Sequence, residues 1–117
     1  MIAKIVEGKV WYDRMFHFTI EVGKGIVLGR GRKMKTSEEC EKDIQLLNDY
    51  FNPKVKVKML TLIIVKHGWL RQKYHFQFVN IDDDVVCWSE NYFNRKDCMD
   101  AVDAIKGSID KIIIIRK

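Results

Sequence analysis

Apolar and polar residues alternate from Phe16 to Val22: Phe16, Phe18, Ile20 and Val22 fall on one side, His17, Thr19 and Glu21 on the other. A period of two is what a half-buried strand requires. Ile2 to Val6 is a shorter β-prone run before it, and Glu7-Gly8-Lys9 supplies a turn. Gly23-Lys24-Gly25 can take positive φ and predicts a tight hairpin, from which Ile26-Val27-Leu28 returns as the next strand. The stretch from Gly29 to Lys35 breaks that pattern. At Thr36-Ser37-Glu38-Glu39 the spacing becomes that of a capping box. Behind it Cys40, Ile44, Leu47 and Phe51 form one helical stripe, and Asn52-Pro53 ends it, because a residue before proline avoids the α region.

The second half has the same layout. Val55 to Val65 reads as a strand, His67-Gly68 as a turn, and Tyr74, Phe76 and Phe78 as an apolar face with His75 and Gln77 opposite. Asp82-Asp83-Asp84 makes the next turn, and Val85 to Trp88 the next strand. Asn94-Arg95-Lys96-Asp97 repeats the cap, and Cys98, Val102, Ile105 and Ile109 repeat the stripe, with Gly107 fraying its end. Ile112 to Ile115 follows without alternation, which predicts a strand buried on both faces or a covered edge, joined to the other half or to a second copy.

An ungapped offset of 58 superposes the halves. It pairs Ile5 with Ile63, Trp11 with Trp69, His17 with His75, Phe18 with Phe76, Val27 with Val85 and Cys40 with Cys98. Periodicity of this kind marks duplicated units that share one core. The expectation is a single α+β domain over residues 1–117, built from two tandem repeats (about 1–53 and 54–117). Each repeat has about three antiparallel strands and one helix, and the helices pack on one sheet face.

Composition narrows the class. At 117 residues, 47% hydrophobic and 32% charged, the chain suits one folded domain rather than a disordered segment. Its net charge is +5, and the excess sits early: residues 1–58 carry 12 basic and 8 acidic residues, residues 59–117 carry 9 and 8. A mild basic bias permits nucleic acid or another anion as partner without being a signature of one. Three cysteines without C-x-x-C spacing fit free thiols in a reducing compartment. No secretory leader pattern and no apolar run of membrane-spanning length is visible, so the expectation is a cytoplasmic chain with no membrane partner.

Gly68-Trp69, the aromatic strand Tyr74-His75-Phe76-Gln77-Phe78, Ser89-Glu90-Asn91-Tyr92, Lys96 and Ile105 together resemble the repeat of the YegP-like family of small uncharacterised proteins. The resemblance covers about residues 62–109 well and 4–51 weakly. It implies tandem repeats of about three strands and one helix, and lends no active-site residues. Two departures stand out. Asp82-Asp83-Asp84 replaces the family's Asn-Gly turn, and Arg30-Gly31-Arg32-Lys33-Met34 stands where the second half has Ser-Glu-Asn-Tyr.

Candidate chemistry concentrates at that second departure. Arg30, Arg32, Lys33 and Lys35 make a basic segment whose glycines, Gly29 and Gly31, would let the backbone approach a ligand ahead of a helix N-terminus. Such termini present amides to anions, and basic side chains beside aromatics suit phosphates and stacked bases. The bland alternative is a solvated loop balanced by Glu38, Glu39 and Glu41. His17 and His75 occupy equivalent polar-face positions and are candidate ligand-binding residues lining a symmetric groove or a dimer interface, with exposed sheet positions as the bland alternative; as two ligands they make a poor metal site. Trp11 and Trp69 lie at or after turns and are candidate ligand-binding aromatics, whereas Trp88, in an otherwise apolar strand, reads as capping the end of the core. Cys40 and Cys98 fall on the helical stripes as small hydrophobes. No phosphate-loop, dinucleotide, metalloprotease or nucleophile-elbow motif is present, so neither an enzyme, a metal nor a cofactor is expected. Two readings remain: a binding domain for nucleic acid or another anionic ligand, and a protein-docking or homodimeric module.

Overall fold

Alternation along the strands is realised as a seven-stranded sheet. In the computed structural model, residues 2–10, 13–23, 25–105 and 111–115 are described, with side chains at 2–8, 13–23 and 25–105. Chain order is β1 (Ile2–Val10), β2 (Asp13–Val22), β3 (Ile26–Gly31), α1 (Ser37–Phe51), β4 (Thr61–His67), β5 (Lys73–Val79), β6 (Val85–Trp88), α2 (Arg95–Ile105) and β7 (Lys111–Ile115). The sheet order is β4-β5-β6-β3-β2-β1-β7. Every pairing from β4 to β1 is antiparallel; β7 lies parallel to β1. The final isoleucine run therefore joins the first half of the chain at a sheet edge.

Both helices cover one face. Cys40, Ile44 and Leu47 of α1 and Cys98, Ala101, Val102 and Ile105 of α2 enter one buried cluster. From the sheet that cluster takes Ala3, Ile5, Phe18, Ile20, Phe76, Phe78, Val86 and Cys87. Tyr50 and Phe51, late in α1, meet Phe78 edge-on at 5.2 and 5.7 Å, a geometry that aromatic quadrupoles favour. Each predicted capping box shows its forward bond. Thr36 Oγ1 accepts from the Glu39 amide, and Asn94 Oδ1 accepts from the Asp97 amide.

Several backbone features recur 58 positions apart. Register shifts fall between Ile20 and Glu21 and between Phe78 and Val79. Phe16 exchanges both backbone hydrogen bonds with Met34, and Tyr74 does so with Tyr92, all at 2.7 Å. The offset fails in the outer hairpins. Ile5 opposes Phe18 in β1–β2, but in β4–β5 Phe76 is opposed by Ile64. Ile5 is fully buried, whereas Ile63 is 41% exposed on the opposite face, so the expected Ile5–Ile63 equivalence is displaced by one residue.

Other expectations need correction. The Gly29–Gly31 stretch is not a strand break: it completes β3 and pairs with β6 through Arg30–Trp88 and Gly31–Cys87. Gly31 is buried, and a Cβ there would overlap the Phe18 ring, so this glycine serves packing rather than ligand approach. Residues 54–60 do not begin a strand. Lys58 Nζ instead donates to the Asp49 and Asn52 carbonyls at 2.9 and 2.6 Å, satisfying acceptors at the end of a helix with no basic residue in its last turn. The acidic turn forms as expected: Asp83 takes φ 65°, and Asn80 Oδ1 accepts from the amides of Asp82 and Asp84. Gly107, Ile109 and Trp11 lie outside the described residues.

Candidate site on the open sheet face

Side chains at alternate strand positions point away from the helices. Phe78 is opposed by Cys87 on the helix side, so Gln77 and its partner Trp88 project from the other face. The same parity carries across the sheet. Residues Ile63, Gln77, Trp88, Arg30, Thr19 and Lys4 are successive register partners and form one transverse row over six strands. His17, two residues from Thr19, lies on this face beside Val6 of β1.

The centre of the row pairs a cation with an aromatic. Arg30 is exposed, and the Trp88 beside it is 36% exposed. The expectation that Trp88 caps the end of the core is thus corrected: Val86 and Cys87 are fully buried, but Trp88 falls on the opposite pleat, away from the core. One signal could have placed it. Trp88 stands 58 positions after Arg30, and the polar-face parity of Arg30 carries over to it.

The basic segment divides. Arg30 and Lys33 both act on His17: burial first, then the Arg30 and Lys33 charges, hold its imidazole below the usual pKa. Arg30, opposite Thr19, and Lys33, next to the Phe16–Met34 bridge, therefore flank a His17 that is held toward its neutral form. Arg32 points inward instead, donating from Nε and Nη2 to the Asp43 carboxylate at 2.9 and 3.1 Å. Its Nη1 also lies 3.7 Å from Asp84 of the acidic turn. Lys35 is exposed and lines a small hollow with Asp13, Arg14 and Met15, beside the first hairpin. The α1 N-terminus that follows is occupied by its own Thr36 cap and carries Glu38 and Glu39 in its first turn.

Acidic groups bound the cationic area. Glu90 accepts from Arg30 Nη2 at 3.2 Å, with both side chains well exposed, and Glu21 meets Lys4 Nζ at 2.7 Å. His75 sits in different company from His17. Its ring packs edge-on against His67 at 5.1 Å, its Nε2 lies 3.0 Å from the Gln77 amide nitrogen, and His67 Nε2 lies 2.9 Å from Asn91 Oδ1. Burial, and then the His67 charge, lower its pKa too. No cluster of three or more metal-ligating side chains occurs among the described residues.

Two further features lie off this face or at its edge. Trp69 is 93% exposed, next to an equally bare Leu70, in the connection from β4 to β5. On the helix side, Tyr50, Phe51, Lys58, Leu62, Met99, Val102 and Asp103 line a hollow of about 410 Å³. The thiols are buried and unpaired: burial, then Asp43, pushes Cys40 up to about 12, and burial raises Cys87 and Cys98 as well. A thiolate is thus disfavoured at each. Among the described residues no helix is long and apolar enough to cross a membrane.

No family model and no curated protein matches this chain. Solved structures do. The solution structure of yegP from E. coli, a protein of unknown function, superposes with a TM-score of 0.72 at 12% identity, over 98% of this chain and 90% of that one. The UPF0339 protein SO3888 from Shewanella oneidensis superposes with a TM-score of 0.71 at 13% identity, over 99% and 93%. At such identity the likeness is one of fold, and the chain has a YegP-like fold.

Proposed function

We propose that this chain is a non-enzymatic binding domain whose open sheet face takes an anionic, phosphate-bearing ligand, with nucleic acid the leading candidate. The observation that carries the reading is the cross-strand pair of exposed Arg30 with partly exposed Trp88, on the sheet face opposite the one the helices cover, with Lys33 next to Met34, the bridge partner of Phe16, and so near His17. A net charge of +5 favours approach of such a ligand. We also read the chain as one domain made of a duplicated β-β-β-α unit. Arg30 and Trp88 then occupy equivalent positions and meet at the seam, so the site is where the two copies join. The three free thiols go with a cytoplasmic protein.

The test is a salt titration of binding to labelled oligonucleotides and to inorganic polyphosphate. Affinity should fall steeply with salt, and Arg30→Ala with Lys33→Ala should weaken binding and flatten the slope by about one unit per lost contact. Salt-insensitive binding, or none to either polyanion, would sink the reading.

A second reading has its own observation. Trp69 and Leu70, adjacent and almost wholly exposed in the connection that follows β4, the terminal strand of the sheet, suit docking of a protein partner or a second copy. Light scattering of the wild type against Trp69→Ser with Leu70→Ser tests the homodimer, and a nuclease-treated pull-down tests the partner.

A further inference from the structure

Resting on the anion-binding reading, we infer that the site selects an unpaired nucleic-acid strand over a duplex, with Trp88 as the platform on which one base stacks. Three observations combine. The Trp88 ring is the aromatic surface of the transverse row, projecting from the centre of the sheet rather than from a flexible tip. Arg30 is its direct cross-strand neighbour, and paired strands lie about 4.8 Å apart. A phosphate held by Arg30 therefore leaves its own or the adjoining base within reach of Trp88. Gln77 flanks the ring on the other side, with an amide that can both donate and accept at a base edge.

The shape of the face decides between strand types. A base inside a duplex has both π-faces covered by its neighbours and offers only edges, which lie in grooves. Among the described residues the open face of this sheet carries no helix to enter a groove, since α1 and α2 both pack on the other side. An unpaired base offers its whole face, and stacking on an aromatic side chain tolerates any base. Arg30, beside Trp88, and Lys33, next to the Phe16–Met34 bridge on the neighbouring strand, supply the backbone contacts that stacking alone lacks. Glu90 competes for Arg30, but both partners are exposed, so a phosphate can displace it at small cost.

The experiment compares a short mixed-sequence single strand, as DNA and as RNA, with the matching duplexes, by fluorescence anisotropy at fixed salt. At least one single strand should bind on the order of tenfold more tightly than its duplex and quench tryptophan emission. Trp88→Ala should cost on the order of tenfold in single-strand affinity, with the salt slope unchanged, and Trp88→Phe should recover most of the loss. Circular dichroism and thermal unfolding of both variants establish that each is folded. Equal affinity for duplex, or a folded Trp88→Ala that binds like wild type, overturns the inference while leaving an anion site on this face. Binding of polyphosphate but of no strand overturns it likewise. Loss of binding to every polyanion overturns both.

Discussion

Arg32 grips Asp43 through two nitrogens, Nε to Oδ2 at 2.9 Å and Nη2 to Oδ1 at 3.1 Å, tying the strand-to-helix connection to the second turn of α1. The Asp43 side chain is only 4% exposed and the Arg32 side chain 27%. Deleting the guanidinium leaves a buried carboxylate with its strongest partner gone. Arg32→Ala should therefore lose on the order of 3 kcal/mol of stability, read as a lower urea midpoint at unchanged slope. Arg32→Lys should recover only part, since an ammonium cannot reproduce the fork. A loss within about 0.5 kcal/mol would show that the pair is solvated rather than structural.

Gly31 and Phe18 make the second test. A methyl at position 31 would overlap the Phe18 ring, which is itself fully buried between the sheet and the helices. Gly31→Ala should cost about 1–3 kcal/mol by overpacking. Adding Phe18→Leu should return part of that loss, because the two changes share one space. Simple additivity in thermal or chemical unfolding would count against the contact.

How much of this was legible in the sequence follows from which interactions are local. The strands from Phe16 and from Tyr74, the Thr36 and Asn94 caps and the acidic turn depend on neighbours within a few residues, and the pattern declares them. The fate of the basic segment depends on residues far away. Arg32 is turned inward by Asp43, Arg30 outward by β6 pairing, and nothing in their common charge distinguishes them. The strand of Trp88 is short and has a register shift beside it, so the apolar run Val85–Cys87 hides the pleat that turns Trp88 away from the core. The one-residue slip between Ile5 and Ile63 is likewise invisible without pairing partners.

Both sheet-face histidines should make stability pH-dependent. His17 and His75 are each held below 6.5 in the folded chain, mainly by burial. The unfolded state therefore binds protons first, and stability rises with pH through this window. Their contribution is fully present above pH 6.5 and is lost as pH falls from there through the folded pKa values. His75 adds a structural reason, since its Nε2 accepts from the Gln77 amide in the neutral form and would lose that bond on taking the second proton. Urea midpoints of the wild type should drop from pH 7 toward pH 5, and His17→Gln with His75→Gln should flatten that drop. An unchanged profile in the double variant would assign the dependence to carboxylates.

Glu90 occupies Arg30 in the free protein, at 3.2 Å with both groups exposed to solvent. An exposed pair of this kind contributes about 0.2–1 kcal/mol, so Glu90→Gln should leave the unfolding midpoint almost unmoved. It removes a negative charge from the rim of the proposed site and frees the guanidinium for a phosphate. Single-strand affinity at fixed salt should then rise a few-fold, the equivalent of that pair energy. The gain must vanish when Arg30→Ala is already present, because Glu90 then has nothing to release. Anisotropy measurements on the four members of that cycle decide it. A gain that persists without Arg30 would mean that Glu90 acts only as bulk repulsion, and no gain at all would mean that Arg30 does not hold the phosphate.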